Sequence, residues 1–311
     1  MSPHGKVASV NVSDEKGTPK RPVPKITIAA GGVVGDAHAG GGHRQVSLLS
    51  TEIIDRFARE AGREIKPGEF AENVTVSGID LGSVAVFDRV LVSGAELEVS
   101  QIGKECRGGE CAIFREVGRC VMPLEGIFCR VIKGAVVRAG DAVEHVPAPL
   151  RIRVVTVSDR ASRGEYEDRT GPRVVQLLGD FFSRTRWHPR ITSVILPDEP
   201  SLLSAELRRS KEERCAAVFV AGGTGVGPRD FTSDAVAAFC DRLIPGVMEA
   251  VRMKYGASNP RALLSRSVAG VSADMLVYAI PGGLNAASEY VTEILVTFEH
   301  LLFMLRGLDV H

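Results

Sequence analysis

The chain has 311 residues, enough for two domains that each bury a core. Its 38 basic and 38 acidic side chains cancel, which argues against a nucleic-acid surface or a polybasic membrane anchor. No apolar run reaches the ~20 residues of a membrane span, and the first residues lack a signal peptide's apolar core. Six cysteines in so long a chain do not make a secreted disulfide framework, so a cytoplasmic protein with mostly reduced thiols is expected.

Up to Pro147-Ala148-Pro149, short β-rich runs alternate with glycine turns: 73–76, 84–92, 96–101 and 126–133. The best helix is Thr51 to Ala61, with Ile53, Ile54, Phe57, Ala58 and Ala61 on one face. Many short strands and one helix predict a closed or nearly closed β-barrel. The loop from Gly35 to Ser47 concentrates Asp36, His38, His43 and Arg44 among glycines. Such a set suits an anion or a metal, and it equally suits a polar loop whose histidines pack or face solvent. Glu69 to Asn73 is placed to complete the same pocket. Cys106, Cys111, Cys120 and Cys129 are spaced too widely for zinc's close pairs. Cys120 and Cys129 read as core thiols, whereas Cys106, between Lys104 and Arg107, is the candidate for a reactive thiolate.

After the linker the grammar becomes strand, loop, helix. Strands are expected at 151–157, 191–196, 216–221 and 275–280, and helices at 172–182, 202–211, from about Ser233, and at 286–306. That alternation implies a three-layer α/β domain with a mostly parallel sheet, whose ligands bind beyond the carboxyl ends of the strands. Polar or glycine-rich motifs fall at those ends: Ser158-Asp159-Arg160, Pro197-Asp198-Glu199, Gly222 to Asp230, and Pro281-Gly282-Gly283. Each alone reads as ordinary turn punctuation, but four at one edge of a sheet point to a site. Gly222-Gly223-Thr224-Gly225, between a buried strand and a helix, offers backbone N–H groups and a hydroxyl to a phosphate, and Arg229 adds a cation. Neither the P-loop nor the Rossmann spacing is present. Asp198 and Asp230 beside a phosphate loop make sense if Mg²⁺ lies between acid and phosphate.

Val157-Ser158-Asp159-Arg160-Ala161-Ser162, Pro197-Asp198-Glu199, Gly222 to Gly225 with Arg229-Asp230, Leu264-Ser265-Arg266 and Pro281-Gly282-Gly283 occur in that order. Together they resemble the molybdopterin adenylyltransferase family of molybdenum-cofactor biosynthesis. The resemblance implies ATP and molybdopterin as substrates, and attack of the pterin's phosphate on the α-phosphate with release of adenylyl-molybdopterin and pyrophosphate. It places Asp198 and Asp230, the two acids read above as holding Mg²⁺, at the family's catalytic acids. Ser158, Asp159, Gly222, Gly223, Thr224, Gly225, Arg229, Ser265, Pro281, Gly282 and Gly283 become ligand-binding positions. It also implies a homotrimer. One departure stands out: the family's last loop commonly reads Pro-Gly-Ser/Asn-Pro, whereas here Gly283 and Leu284 follow Pro281-Gly282.

The N-terminal motifs Gly35-Asp36-Ala37-His38, His43 to Ser47, Gly68 to Asn73 and Gln101 to Cys106 resemble a MOSC domain, a β-barrel module also found in molybdenum-cofactor sulfurases. That resemblance implies cofactor binding, with Cys106 at the position thought to carry sulfur or contact the cofactor, and with His38, His43 and Arg44 as further candidates. Arg107 stands where relatives often have histidine. The domains expected are residues 1–148 (MOSC) and 149–311 (molybdopterin-binding adenylyltransferase). Alternatives are a non-catalytic cofactor carrier and cysteine-based sulfur transfer; the partners implied are metal-insertion or molybdoenzyme-maturation proteins.

Overall fold

A computed structural model describes residues 4–105 and 120–308. The chain forms two compact units that part between Ala148 and Pro149.

The first unit is built from β1 (His4–Val12), β2 (Arg21–Val23), β3 (Ile26–Ala29), β4 (Gly32–Val33), β5 (Val46–Ser50), β6 (Val74–Ser77), β7 (Arg89–Val92), β8 (Ala95–Ile102), β9 (Ile127–Lys133), β10 (Ala135–Val137) and β11 (Ala142–Val146). The hydrogen-bonded order β11-β7-β8-β9-β5-β6-β1 closes on itself because β1 also pairs with β11. This is the expected barrel, and closure leaves those strands no open edge. Val7, Leu48, Val76, Leu97 and Ile127 are among the buried side chains of its core. The helix α1 (Thr51–Ala61) has the bounds its periodicity predicts. Ser50 caps it by accepting from the Ile53 N–H, and Gly62 ends it in the left-handed conformation. Ile53, Ile54 and Phe57 are buried, but Ala61 is exposed, so the apolar stripe is one turn shorter than its sequence suggests.

The expected strand at 84–92 shrinks to β7. Residues 81–83 form a single 3₁₀ turn, and Phe87 has φ of 71°. Asp88, buried, accepts from the Ala85 N–H at 2.7 Å and the Ala148 N–H at 2.8 Å. A carboxylate bent back onto its own turn is what the alternation of apolar residues could not reveal.

The second unit holds β12 (Pro149–Val157), α2 (Thr170–Phe182), β13 (His188–Leu196), α3 (Pro200–Glu212), β14 (Ala217–Ala221), α4 (Thr232–Phe239), β15 (Arg242–Leu243), α5 (Pro245–Gly256), β16 (Val268–Ser272), β17 (Met275–Ile280) and α6 (Leu284–Leu305). The sheet runs β13-β12-β14-β17-β16-β15; its first four strands are parallel, and β16 and β15 are antiparallel additions. α5 and the β15–β16 pair were not expected from the sequence.

Alternation along the central strands divides the core between the two faces. Val218 and Val220 pack with Leu203, Leu207 and Val236 of α3 and α4. Phe219 stacks on Tyr278 with ring centroids 4.9 Å apart on the other face. Phe298 of α6, fully buried, lies within 6.5 Å of Phe182, Phe219 and Tyr278. Phe298→Ala removes the ring that joins α2, α6 and the sheet. It is expected to cost about 3–5 kcal/mol, read from the midpoint of denaturant unfolding with an unchanged slope.

Candidate active site at the carboxyl edge of the sheet

Four parallel strands in register end side by side. Val157 is level with Leu196, Thr156 with Ala221, and Ala221 with Ile280. The motifs that follow are therefore neighbours, and backbone bonds tie them together. The Ser158 N–H donates to the Leu196 carbonyl at 2.8 Å, and the Gly222 N–H to the Ile280 carbonyl at 3.0 Å. The Arg266 N–H reaches the Thr224 carbonyl at 2.8 Å, bringing in the Ser265 turn. Thr224 and Ser265 place their hydroxyls 3.5 Å apart, and Ser267 lies 2.7 Å beyond.

The glycines are explained by close packing within the protein. At Gly222, with φ of 113°, a Cβ would lie 2.4 Å from the Val157 carbonyl oxygen. At Gly225 it would meet the Asp230 carboxylate at 2.6 Å. The loop folds over Asp230, whose Oδ2 accepts from the Gly227 N–H at 2.8 Å.

Asp159 and Asp198 brace each other through their backbones. The Asp198 N–H donates to Asp159 Oδ1 at 2.9 Å, and the Asp159 N–H to Asp198 Oδ2 at 3.3 Å. Arg229 reaches Asp159 Oδ2 at 3.3 Å from an exposed position. Asp198 and Asp230 are both half-buried, and each has one carboxylate oxygen on a backbone N–H. Asp159, Asp198 and Asp230 do not form a preassembled trio of ligand atoms among the described residues. Ser158 caps the turn at Asp159–Ser162 by accepting from the Ala161 N–H, and its Oγ lies 3.1 Å from the Tyr166 hydroxyl. Asp168 and Thr170, not singled out by the sequence, join this edge as well. Thr170 Oγ1 donates to the Gly282 carbonyl at 2.8 Å.

In the barrel unit the polar loop closes on a residue the sequence did not flag, Lys20. Its ammonium meets Asp36 Oδ2 at 2.5 Å and lies 3.4 Å from His38 Nδ1; both members of the ion pair are buried. Asp36 also accepts from the N–H groups of Ser13 and His38. Burial opposes ionisation of Asp36, but hydrogen bonds from His38, Lys20 and these amides outweigh it and hold the carboxyl well below its usual range. His43 is half-buried, with its carbonyl accepting from Ser100 Oγ at 2.6 Å, and Arg44 is exposed. Glu72 and Asn73 belong to a buried network with Asn11, Ser47 and Thr75. Glu69 turns away to Arg63. Cys129 is fully buried, which pushes its thiol up and makes it inert, as expected of a core thiol; Cys120 is half-buried. Cys106 and Cys111 lie outside the described residues.

The second unit thus has a doubly covered, mostly parallel sheet with hydroxyls, glycine loops and acids gathered at its carboxyl edge, the edge at which open α/β sheets bind ligands. Residues 153–300 match the family model described as a probable molybdopterin binding domain, and residues 35–144 match that of the MOSC domain. A molybdopterin adenylyltransferase of Helicobacter pylori (strain J99) is 30% identical over 160 residues, covering 51% of this chain and 89% of that protein. That of Haemophilus influenzae is 35% identical over 148 residues, 46% of this chain and 71% of that protein. A molybdenum cofactor biosynthesis bifunctional protein of Synechococcus elongatus is 33% identical over half of this chain, which spans 47% of that relative's length. A crystal structure of the molybdopterin biosynthesis enzyme MoaB from Thermus thermophilus aligns at 31% identity and a TM-score of 0.45, covering 51% of this chain and 97% of that one. Through its second unit the chain belongs to the molybdopterin adenylyltransferase family, and it carries a MOSC domain before it.

The Lys20–Asp36 pair yields a pH prediction. A depressed folded pKa means stabilisation that is present above the ordinary carboxylate value and lost as pH falls through the folded one. Asp36→Asn strands a buried ammonium and is expected to cost about 3–5 kcal/mol near neutral pH. Burial also lowers the Lys20 pKa, so the acid test removes both charges. Urea unfolding at pH 7 and pH 3 should show the gap between the parent and a Lys20→Met/Asp36→Asn double variant narrowing in acid. An unchanged gap would contradict the pairing.

Proposed function

We propose that the second unit transfers the adenylyl group of ATP to molybdopterin, giving adenylyl-molybdopterin and pyrophosphate, within molybdenum-cofactor biosynthesis. The observation that carries this reading is the register of β13, β12, β14 and β17, which brings the loops at Ser158, Asp198, Gly222 and Gly282 to one edge. In this reading Gly222, Gly223, Thr224 and Gly225 present amides and a hydroxyl to phosphate oxygens, with Ser265 beside Thr224. Arg229, exposed and three-quarters free of cover, draws in anionic substrates. Ser158, Asp159, Pro281, Gly282 and Gly283 line the remaining approach.

Asp198 and Asp230 suit Mg²⁺ by donor chemistry: both are carboxylates, and each has a second oxygen besides the one bound to a backbone N–H. With no preassembled third ligand among the described residues, Asp198 and Asp230 are the groups that would hold the cation. Mg²⁺ held there would supply charge neutralisation for the phosphates. The acids' own part is to orient the phosphates, and Asp159, through its contacts with the Asp198 N–H and Arg229, keeps Asp198 in place.

The barrel unit, in the same reading, binds or modifies the cofactor, with His38, His43 and Arg44 as its candidate contacts and Cys106 as its candidate thiol. A homotrimer through the second unit is supported by exposed Leu243, Met253, Leu263 and Leu264 on β15, α5 and the turn after it. The protein is proposed to act in the cytoplasm, without nucleic acid or membrane, and to pass product to metal-insertion or molybdoenzyme-maturation proteins. No helix of the described residues is long and apolar enough to cross a membrane. A second reading, a non-catalytic carrier of molybdopterin, draws on Gly283, which brings no side chain to the last loop.

ATP, Mg²⁺ and molybdopterin supplied together should release pyrophosphate. Asp198→Asn or Asp230→Asn should each slow release by about 100-fold or more, the scale of removing a charge-organising group from a transition state. Tight pterin binding with no pyrophosphate from the unaltered chain would favour the carrier. Full turnover by the double Asn variant would discard the acids' role.

A further inference from the structure

The last loop lacks the usual local means of fixing its own shape. Gly283 is the N-cap of α6 and makes no side-chain capping bond, and Leu284, not proline, begins the helix. Free Gly-Gly backbone is costly to order, yet Gly282 packs tightly: a Cβ there would lie 3.0 Å from the Gly222 Cα. Something outside the loop must hold it.

A hydrogen bond reaches the loop from Thr170 of α2. Asp168, just ahead of this helix, accepts from the N–H groups of Thr170 at 2.9 Å and Gly171 at 3.0 Å through one oxygen. Its other oxygen accepts from the Thr156 hydroxyl at 2.7 Å on β12. The carboxylate thus occupies the first amides of α2, so this helix end is capped by the protein's own charge. Gly171 permits the approach, since a Cβ there would meet Asp168 Oδ2 at 2.5 Å and Thr156 Oγ1 at 2.7 Å. With α2 pinned to β12, the buried Thr170 hydroxyl is aimed at the Gly282 carbonyl. The described peptide bonds are all trans, so a carbonyl held toward α2 turns the Gly283 N–H to the opposite side. One turn further on, Arg173 Nε donates to Ser288 Oγ at 3.3 Å, tying α2 to α6 again.

We propose that Thr170, fixed by Asp168, is a positioning residue for substrate binding: it latches the Gly282–Gly283 peptide against the Gly222 loop, in the orientation that receives the phosphate of molybdopterin. The latch stands in for the side chain that Gly283 lacks. It rests on the adenylylation reading of the same site and adds to it which residue sets affinity for the pterin.

The test compares Thr170→Val and Thr170→Ser in the full chain. Molybdopterin affinity is measured without ATP from pterin fluorescence, and KM and kcat from pyrophosphate release. The Val variant should weaken affinity and raise KM about tenfold, the effect of one hydrogen bond, with kcat within about twofold. The Ser variant, which keeps the hydroxyl, should recover affinity even if its thermal midpoint falls. A Val variant that binds as the parent does, or a Ser variant as weak as Val, would overturn the latch. If the unaltered chain binds molybdopterin but releases no pyrophosphate, adenylylation falls while the affinity comparison still decides the latch. Failure of the unaltered chain to bind the pterin at all overturns both.

Discussion

Parallel pairing in register across β13, β12, β14 and β17 is the constraint from which the site follows. Parallel strands must all deliver their carboxyl ends to one edge, and their connections must cross back over the faces as helices. Polar residues needed for chemistry can then sit just beyond the last buried residue of each strand, where backbone groups are no longer claimed by the sheet. The cost is crowding. Gly222 lies so close to Val157 that only a residue without a Cβ fits, and its φ of 113° is one that other residues rarely adopt.

That crowding also decides how the acids are held. Asp159 and Asp198 exchange backbone bonds across two adjacent strand ends, and Asp230 lies beneath Gly225 and Gly227. A carboxylate already oriented by an amide loses little freedom when a ligand arrives, which is the physical content of preorganisation. The rigidity is borrowed from the sheet rather than made within the loops. The same logic extends to Gly282, whose carbonyl accepts from Thr170 in another helix.

Much of this was legible in the sequence, and for identifiable reasons. α1 and β17 have the bounds expected of them because an apolar stripe or an unbroken apolar run ends at a clear stop signal. The ordered loops announced the family because Asp198, Gly222 to Gly225 and Gly282 stand at fixed places just beyond strand ends. What escaped notice were residues that act through distant partners. Lys20 looks like any surface lysine until Asp36 folds onto it. Asp168 and Thr170 look like a turn, since their bonds to Thr156 and Gly282 span 12 and 112 residues. β7 is shorter than its apolar pattern because Asp88 bends the preceding turn. Local periodicity carries no information about such contacts.

The most direct measurement is amide hydrogen exchange of the full chain with and without Mg-ATP and molybdopterin, since exchange reports local opening segment by segment. Exchange should slow together in residues 158–160, 198–199, 222–230 and 281–284, the loops that strand register brings to one edge. Slowing confined to one of these segments, or located at the opposite ends of β12, β14 and β17, would contradict a single shared site.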